Sequence, residues 1–115
     1  MKPDSSKWKV TPMLFSGRQN PQWKLTTAQQ KRWMVLWQHA SLSNKAVETP
    51  SLLGYTGCRL QYNQHSHWQL YNGCVTFFDD GKLFSKNDEE KQMELFLLNT
   101  ASEEVKEILK VMEII

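Results

Sequence analysis

Arg18 is the side chain whose setting best suits chemistry. It sits in SGRQNPQW, residues 16–23. There Gly17 permits unusual dihedrals, and Pro21 biases Asn20 away from the helical region. A guanidinium on a short connection, with Asn20 near it and Trp23 beyond, has the planar fork that holds a carboxylate through two parallel hydrogen bonds. The same group also suits bracing its own loop, through backbone carbonyls or an acidic residue of the C-terminal helices. His65 and His67 alternate around Ser66. An extended segment would point both rings the same way, as two metal ligands stand, but no third ligand accompanies them. No metal and no cofactor are expected. Asp79 and Asp80 lie beside Gly81 and Lys82 and read as turn formers rather than a carboxylate pair. The sequence contains no nucleophile motif, phosphate loop or dinucleotide fingerprint. No catalytic residue is expected, and the chain reads as non-enzymatic.

These groups depend on a sheet. Residues 52–78 are rich in Tyr, Val, Phe and Trp and punctuated by turn residues. Asn72-Gly73 lies between WQLY and CVTFF, and a type I′ turn needs two residues tolerant of positive φ. The turn would set Tyr71 opposite Cys74, Leu70 opposite Val75 and Trp68 opposite Phe77. Trp68, Leu70, Val75 and Phe77 would then share one apolar face. A single strand over residues 68–78, bulged at Asn72-Gly73, keeps the same face. For the preceding strand, residues 57–62, to put Cys58, Leu60 and Tyr62 on that face, Tyr62 must pair with Trp68. The loop of residues 63–67 is then odd in length. Cys58 and Cys74 would fall on opposite faces and form no disulfide. Asp79-Asp80-Gly81-Lys82 predicts a second turn and a short strand at residues 83–85. Residues 7–15 predict a first strand, at an edge or bulged at Pro12, which has no N–H to donate.

Three helices are expected. Thr26 or Thr27 caps the first, with Gln29 or Gln30 completing a capping box. Its apolar face carries Trp33, Leu36, Trp37 and Ala40. A polar loop follows over residues 41–51. Asn87 is the expected cap of the second helix, with Met93, Phe96 and Leu97 as its buried stripe. Ser102 caps the third, where Val105, Ile108, Leu109 and Met112 repeat at helical spacing. Val111, Ile114 and Ile115 fall off that stripe, so this helix is either sandwiched or offers apolar surface to a second chain.

The chain has 115 residues, room for one domain over residues 7–115 after a disordered 1–6. Net charge is only +2, which makes no case for nucleic acid. Residues 1–78 nevertheless carry nine basic and two acidic side chains, and residues 79–115 five and ten. Either the acidic helices lie against the basic sheet, or a basic face stays open for an acidic partner or a peptide carboxylate. No apolar signal segment and no membrane-length run is present, so a cytoplasmic protein without a membrane partner is expected. Arg59 and Tyr71, with Tyr55, are expected to line a groove on the sheet face away from the core. A strand edge beside it would accept an extended peptide.

FSGRQNPQW, LGYTGC and LYNGCV stand in that order in this chain. They resemble the SGRPNPxW, LGYxGF and VYxGVV motifs of a family of small bacterial domains, and LLNTA at residues 97–101 also fits. Some members of that family resemble accessory peptide-binding proteins of crocagin-type modified-peptide clusters. Gln19 stands where the motif has Pro, and Cys58 where it has Phe. The resemblance implies binding of a precursor or product peptide in natural-product biosynthesis, without catalysis.

The resulting expectation is an α+β fold: a small antiparallel sheet of about four strands with three helices packed mainly on one face. Its function is peptide binding, with Arg18 holding a carboxylate and Asn20, Trp23, Tyr55, Arg59 and Tyr71 lining the site. The alternative is a structural or interaction module, a homodimer or a regulator of a partner protein.

Overall fold

The computed structural model describes residues 7–14, 19–47 and 55–115. Arg18 and residues 1–6 lie outside them. The sheet grows from the turn at Asn72-Gly73, where φ is 50° and 84° at the two residues. This joins β4 (Ser66–Tyr71) to β5 (Cys74–Asp79). The register pairs Tyr71 with Cys74, Leu70 with Val75 and Trp68 with Phe77, so the chain takes the hairpin and not the bulge. Asp80 and Gly81, with φ of 49° and 87°, repeat the device and lead into β6 (Lys82–Asn87).

The preceding strand, β3 (Cys58–Gln61), pairs Leu60 with Trp68 and Cys58 with Leu70. This corrects the expected Tyr62–Trp68 pairing by two residues. The cause is Asn63, whose Oδ1 accepts the His65 amide at 2.8 Å. The chain therefore reverses within three residues, and the Tyr62 amide donates to the Ser66 carbonyl. A slip of two preserves the faces. Cys58 opposes Leu70, Cys74 belongs to the other face, and both are free thiols. The shift separates the histidines. His65 stays in the exposed loop, whereas His67 enters β4 and stacks on Phe78, 4.7 Å between centroids.

β1 (Lys9–Pro12) pairs with β3 on one side and with β2 (Trp23–Lys24) on the other. β2 covers only Lys9 and Val10. Continued, the ladder would set Pro12 against Pro21, and neither has an N–H. Pro12 is thus at a local edge inside an interior strand. The sheet has six antiparallel strands, ordered β2-β1-β3-β4-β5-β6, rather than about four. β6 is longer than expected, and β2 is too short to show any alternation in sequence.

The helices cover the Val10–Leu60–Trp68–Leu70–Val75 face. Thr26 caps α1 (Thr27–His39) in the expected box with Gln29. Trp33 is fully buried, with its ring edge-on to Trp68 at 5.4 Å. At the next helix Asn87 does not cap; it ends β6. Asp88 takes the role, accepting the Met93 and Glu94 amides at 2.7 and 3.0 Å. A 3-10 turn (Glu89–Lys91) intervenes, with Glu90 and Lys91 left-handed. α2 (Gln92–Leu98) therefore starts after that turn. Ser102 caps α3 (Glu103–Val111) as expected. Leu109 is completely buried, worth about 1.5–3 kcal/mol before entropy. Ile108 stays 40% exposed. Glu113 is left-handed and turns the chain back, so Ile114 and Ile115 pack on the core and Val111 faces out. Among the described residues no helix is long and apolar enough to cross a membrane.

Candidate functional site

Strand alternation places Lys9, Thr11, Arg59, Gln61, His67 and Gln69 on the sheet face turned away from the helices. The far end of that face is covered. The segment of residues 41–43 runs along β6 through the Asn87–Ser41 and Ser43–Ser85 backbone hydrogen bonds. The Val47 amide then donates to Thr76 Oγ1 at 2.8 Å. Thr76 is consequently fully buried although it belongs to this face. Toward β1 and β3 the face opens into a shallow cavity of about 260 Å³, lined by Lys9, Thr11, Met13, Gln22, Arg59 and Gln61.

Arg59 dominates this cavity electrostatically. Its Nε donates to Gln61 Oε1 at 3.0 Å. Among the described residues no carboxylate pairs with it; the ion pairs there are Lys106–Glu103 and Lys110–Glu107 on α3. Burial lowers the Arg59 pKa, because a half-desolvated guanidinium without a counter-ion is disfavoured. Burial, and then the Arg59 charge, push His67 down from 6.5 to about 4. Only the second, lesser cause at His67 reports the Arg59 charge itself.

The other expected site residues are dispersed. Asn20 Oδ1 accepts the Leu14 amide at 2.8 Å, and its Nδ2 approaches Met13 Sδ, which ties the connection to β1. The Trp23 indole turns to the helix side and donates to Thr100 Oγ1 at 2.7 Å. Tyr55 and Tyr71 do meet, with ring centroids 6.3 Å apart. They border a second cavity, of about 270 Å³, between the end of β4, α2 and the C-terminal turn. The expected groove of Arg59, Tyr55 and Tyr71 is therefore two separate places. Tyr71 is the last residue of β4, at the rim, where its ring meets the helix layer rather than Arg59.

Sequence reasoning missed Glu94. It is 4% exposed, and its Oε2 accepts the Tyr55 hydroxyl. Oε1 is buried and accepts no hydrogen bond of good geometry, although the Asn72 amide lies near enough to favour the charged carboxylate. Burial, the largest effect, raises Glu94 above its ordinary 4.5; Tyr55 and Lys91 oppose this, and Asp88 adds to it. Burial likewise raises the Cys58 thiol and the Tyr55 phenol, so neither is a nucleophile or base near neutrality. The available signal was a lone acid inside the apolar run QMELFLL.

These shifts act oppositely on stability. A raised carboxylate pKa in the fold stabilises at low pH, and this is lost as pH rises through the raised value. A depressed histidine pKa stabilises above 6.5, and this is lost as pH falls toward about 4. In urea unfolding over a pH series, Glu94→Gln should gain on the wild type as pH rises. His67→Gln should gain on it as pH falls below 6.5. A pH-independent difference in either comparison would refute the corresponding assignment.

No known family model matches the chain, and no curated protein or solved structure is similar to it.

Proposed function

We propose that the protein is a non-catalytic peptide-binding accessory protein whose open sheet face takes an acidic segment or C-terminal carboxylate. The observation that carries this is Arg59, half-buried beside Lys9 in the open cavity and without a carboxylate partner among the described residues; its charge adds to burial in lowering the neighbouring His67. A peptide carboxylate supplies the missing charge and accepts the guanidinium fork, an interaction worth about 1.5–3 kcal/mol. The resemblance to accessory proteins of modified-peptide pathways points the same way. Side-chain capture suits this face better than strand addition. β2 offers only two residues, and residues 41–43 already occupy the Ser85–Asn87 half of β6.

The test is calorimetric titration with a short glutamate-containing peptide bearing a free C-terminus. Arg59→Ala should bind it about tenfold or more weakly. Arg59→Lys should recover only part, because it lacks the fork. In the wild type, binding should raise the His67 pKa, read by NMR. Equal affinity of wild type and Arg59→Ala removes the reading. Arg18→Ala in the same series decides whether Arg18 shares the carboxylate.

A homodimer or interaction module is the second reading, favoured by Leu83 and Phe84, each about half exposed on the outer strand. Sedimentation showing a monomer at all accessible concentrations removes the dimer.

A further inference from the structure

The Tyr55–Tyr71 cavity has a composition opposite to that of the Arg59 face. Glu94 forms part of its wall, with Glu113 beside it, and Asp88 acts on Glu94 from behind. Among the described residues Lys91 is the one cation lining it, and it makes no ion pair with Glu94. The local balance is negative. The rest of the described wall is Asn72, Leu95, Leu98, Met112 and Ile114, together with the two phenol rings. Glu94 carries an oxygen without a good donor among the described residues, in a side chain that is almost wholly buried. Such an acceptor is destabilising until a donor reaches it. Aromatic faces beside a carboxylate attract an organic cation through the ring quadrupole.

We propose that this cavity binds a small ligand bearing a primary ammonium, with Glu94 as its counter-charge, Tyr55 and Tyr71 flanking it, and Leu98 and Met112 against its alkyl chain. The volume, about 270 Å³, is just below the usual range for ligand pockets, about 300–1,000 Å³. It fits an alkylamine or a single lysine-like side chain rather than a peptide segment.

The experiment titrates the full chain with n-butylammonium near pH 8, followed by amide NMR, with 1-butanol and butyrate as isosteric controls. Nα-acetyl-lysine methylamide tests whether the ammonium comes from a free amine or a side chain. Butylammonium should bind saturably and about tenfold or more tightly than 1-butanol. Glu94→Gln should weaken it by a similar factor with little change in butanol binding. Met112→Trp, which narrows the cavity, should abolish both; should Glu94→Gln fail to fold, it tests the place of binding and the butylammonium–butanol difference tests the charge. Equal binding of butylammonium and butanol, or unchanged butylammonium affinity in Glu94→Gln, overturns the proposal.

Discussion

Trp68→Ala should lower stability by about 3–5 kcal/mol, the range for removing a buried aromatic side chain together with the cavity it leaves. Trp68 is 2% exposed and central to the aromatic core. Its ring stacks on Phe77 at 4.4 Å and on Trp8 at 6.1 Å. It meets Trp33, Trp37 and Tyr62 edge-on at 5.4, 6.0 and 5.6 Å. One truncation thus empties contacts to the turn before β1, to β5, to α1 and to the β3–β4 loop together. Domains of this size have only about 5–15 kcal/mol in total. The expected readout is a urea midpoint reduced by a third or more, with the near-ultraviolet dichroism weakened. Trp68→Phe should cost less than half as much. It keeps a ring against Phe77 and removes an indole N–H that has no acceptor among the described residues. A loss under about 1 kcal/mol for Trp68→Ala would mean that the cluster is not the structural centre.

Gly57→Ala should be nearly as damaging, although it adds a single methyl. Gly57 has φ of 121°, a conformation that L-residues rarely adopt. A Cβ there would lie 2.6 Å from the Leu70 carbonyl oxygen and 3.3 Å from Tyr71 Cβ. Both neighbours belong to β4, held in place by the β3 and β5 ladders, so neither can retreat cheaply. The dihedral strain alone is about 1–3 kcal/mol. The backbone clash brings the expected loss to about 3 kcal/mol or more, roughly 12 °C in melting temperature for a chain of this length. Gly81→Ala is the control. Its φ of 87° carries strain, but nothing lies within 4 Å of the added carbon. It should lose only about 1–2 kcal/mol. Equal losses at the two glycines would show that the Leu70 contact is unimportant.

Gly57 also bears on the second cavity. It brings the backbone of residues 55–57 against the end of β4, where the Tyr55 and Tyr71 rings meet. Substitution there should disturb butylammonium binding as well as stability, whereas the Arg59 face, built farther along β3, is separated from it.

Much of the architecture is legible in local sequence. The Asn72-Gly73 hairpin, the Thr26–Gln29 box and the Ser102 cap depend on groups within a few positions of each other. The common face of Trp68, Leu70, Val75 and Phe77 follows from a period of two and survives a two-residue register shift. The missed features have identifiable causes. Asn63 closes its loop early through a side-chain hydrogen bond, and Asp88 displaces Asn87 because β6 runs on to Asn87 and spends it in the ladder. The expected site suffered most. Its five described residues are scattered because proximity in a motif says little about which side of a sheet a ring or guanidinium will occupy. Trp23 braces Thr100, Asn20 holds Leu14, and only Tyr55 and Tyr71 keep company.

The amino-acid order alone determined the antiparallel α+β character, the principal turns, two helix caps and the side of the sheet that is apolar. Each of these is decided by backbone dihedral preferences or by alternation along a short segment. Only the tertiary structure decided that Glu94 is buried against Tyr55, thirty-nine residues away, and that Val47 closes over Thr76 across twenty-nine. It also left Arg59 without a carboxylate partner among the described residues. Burial and charge pairing are properties of neighbours brought together by chain reversal, and no local pattern encodes which distant groups those neighbours will be.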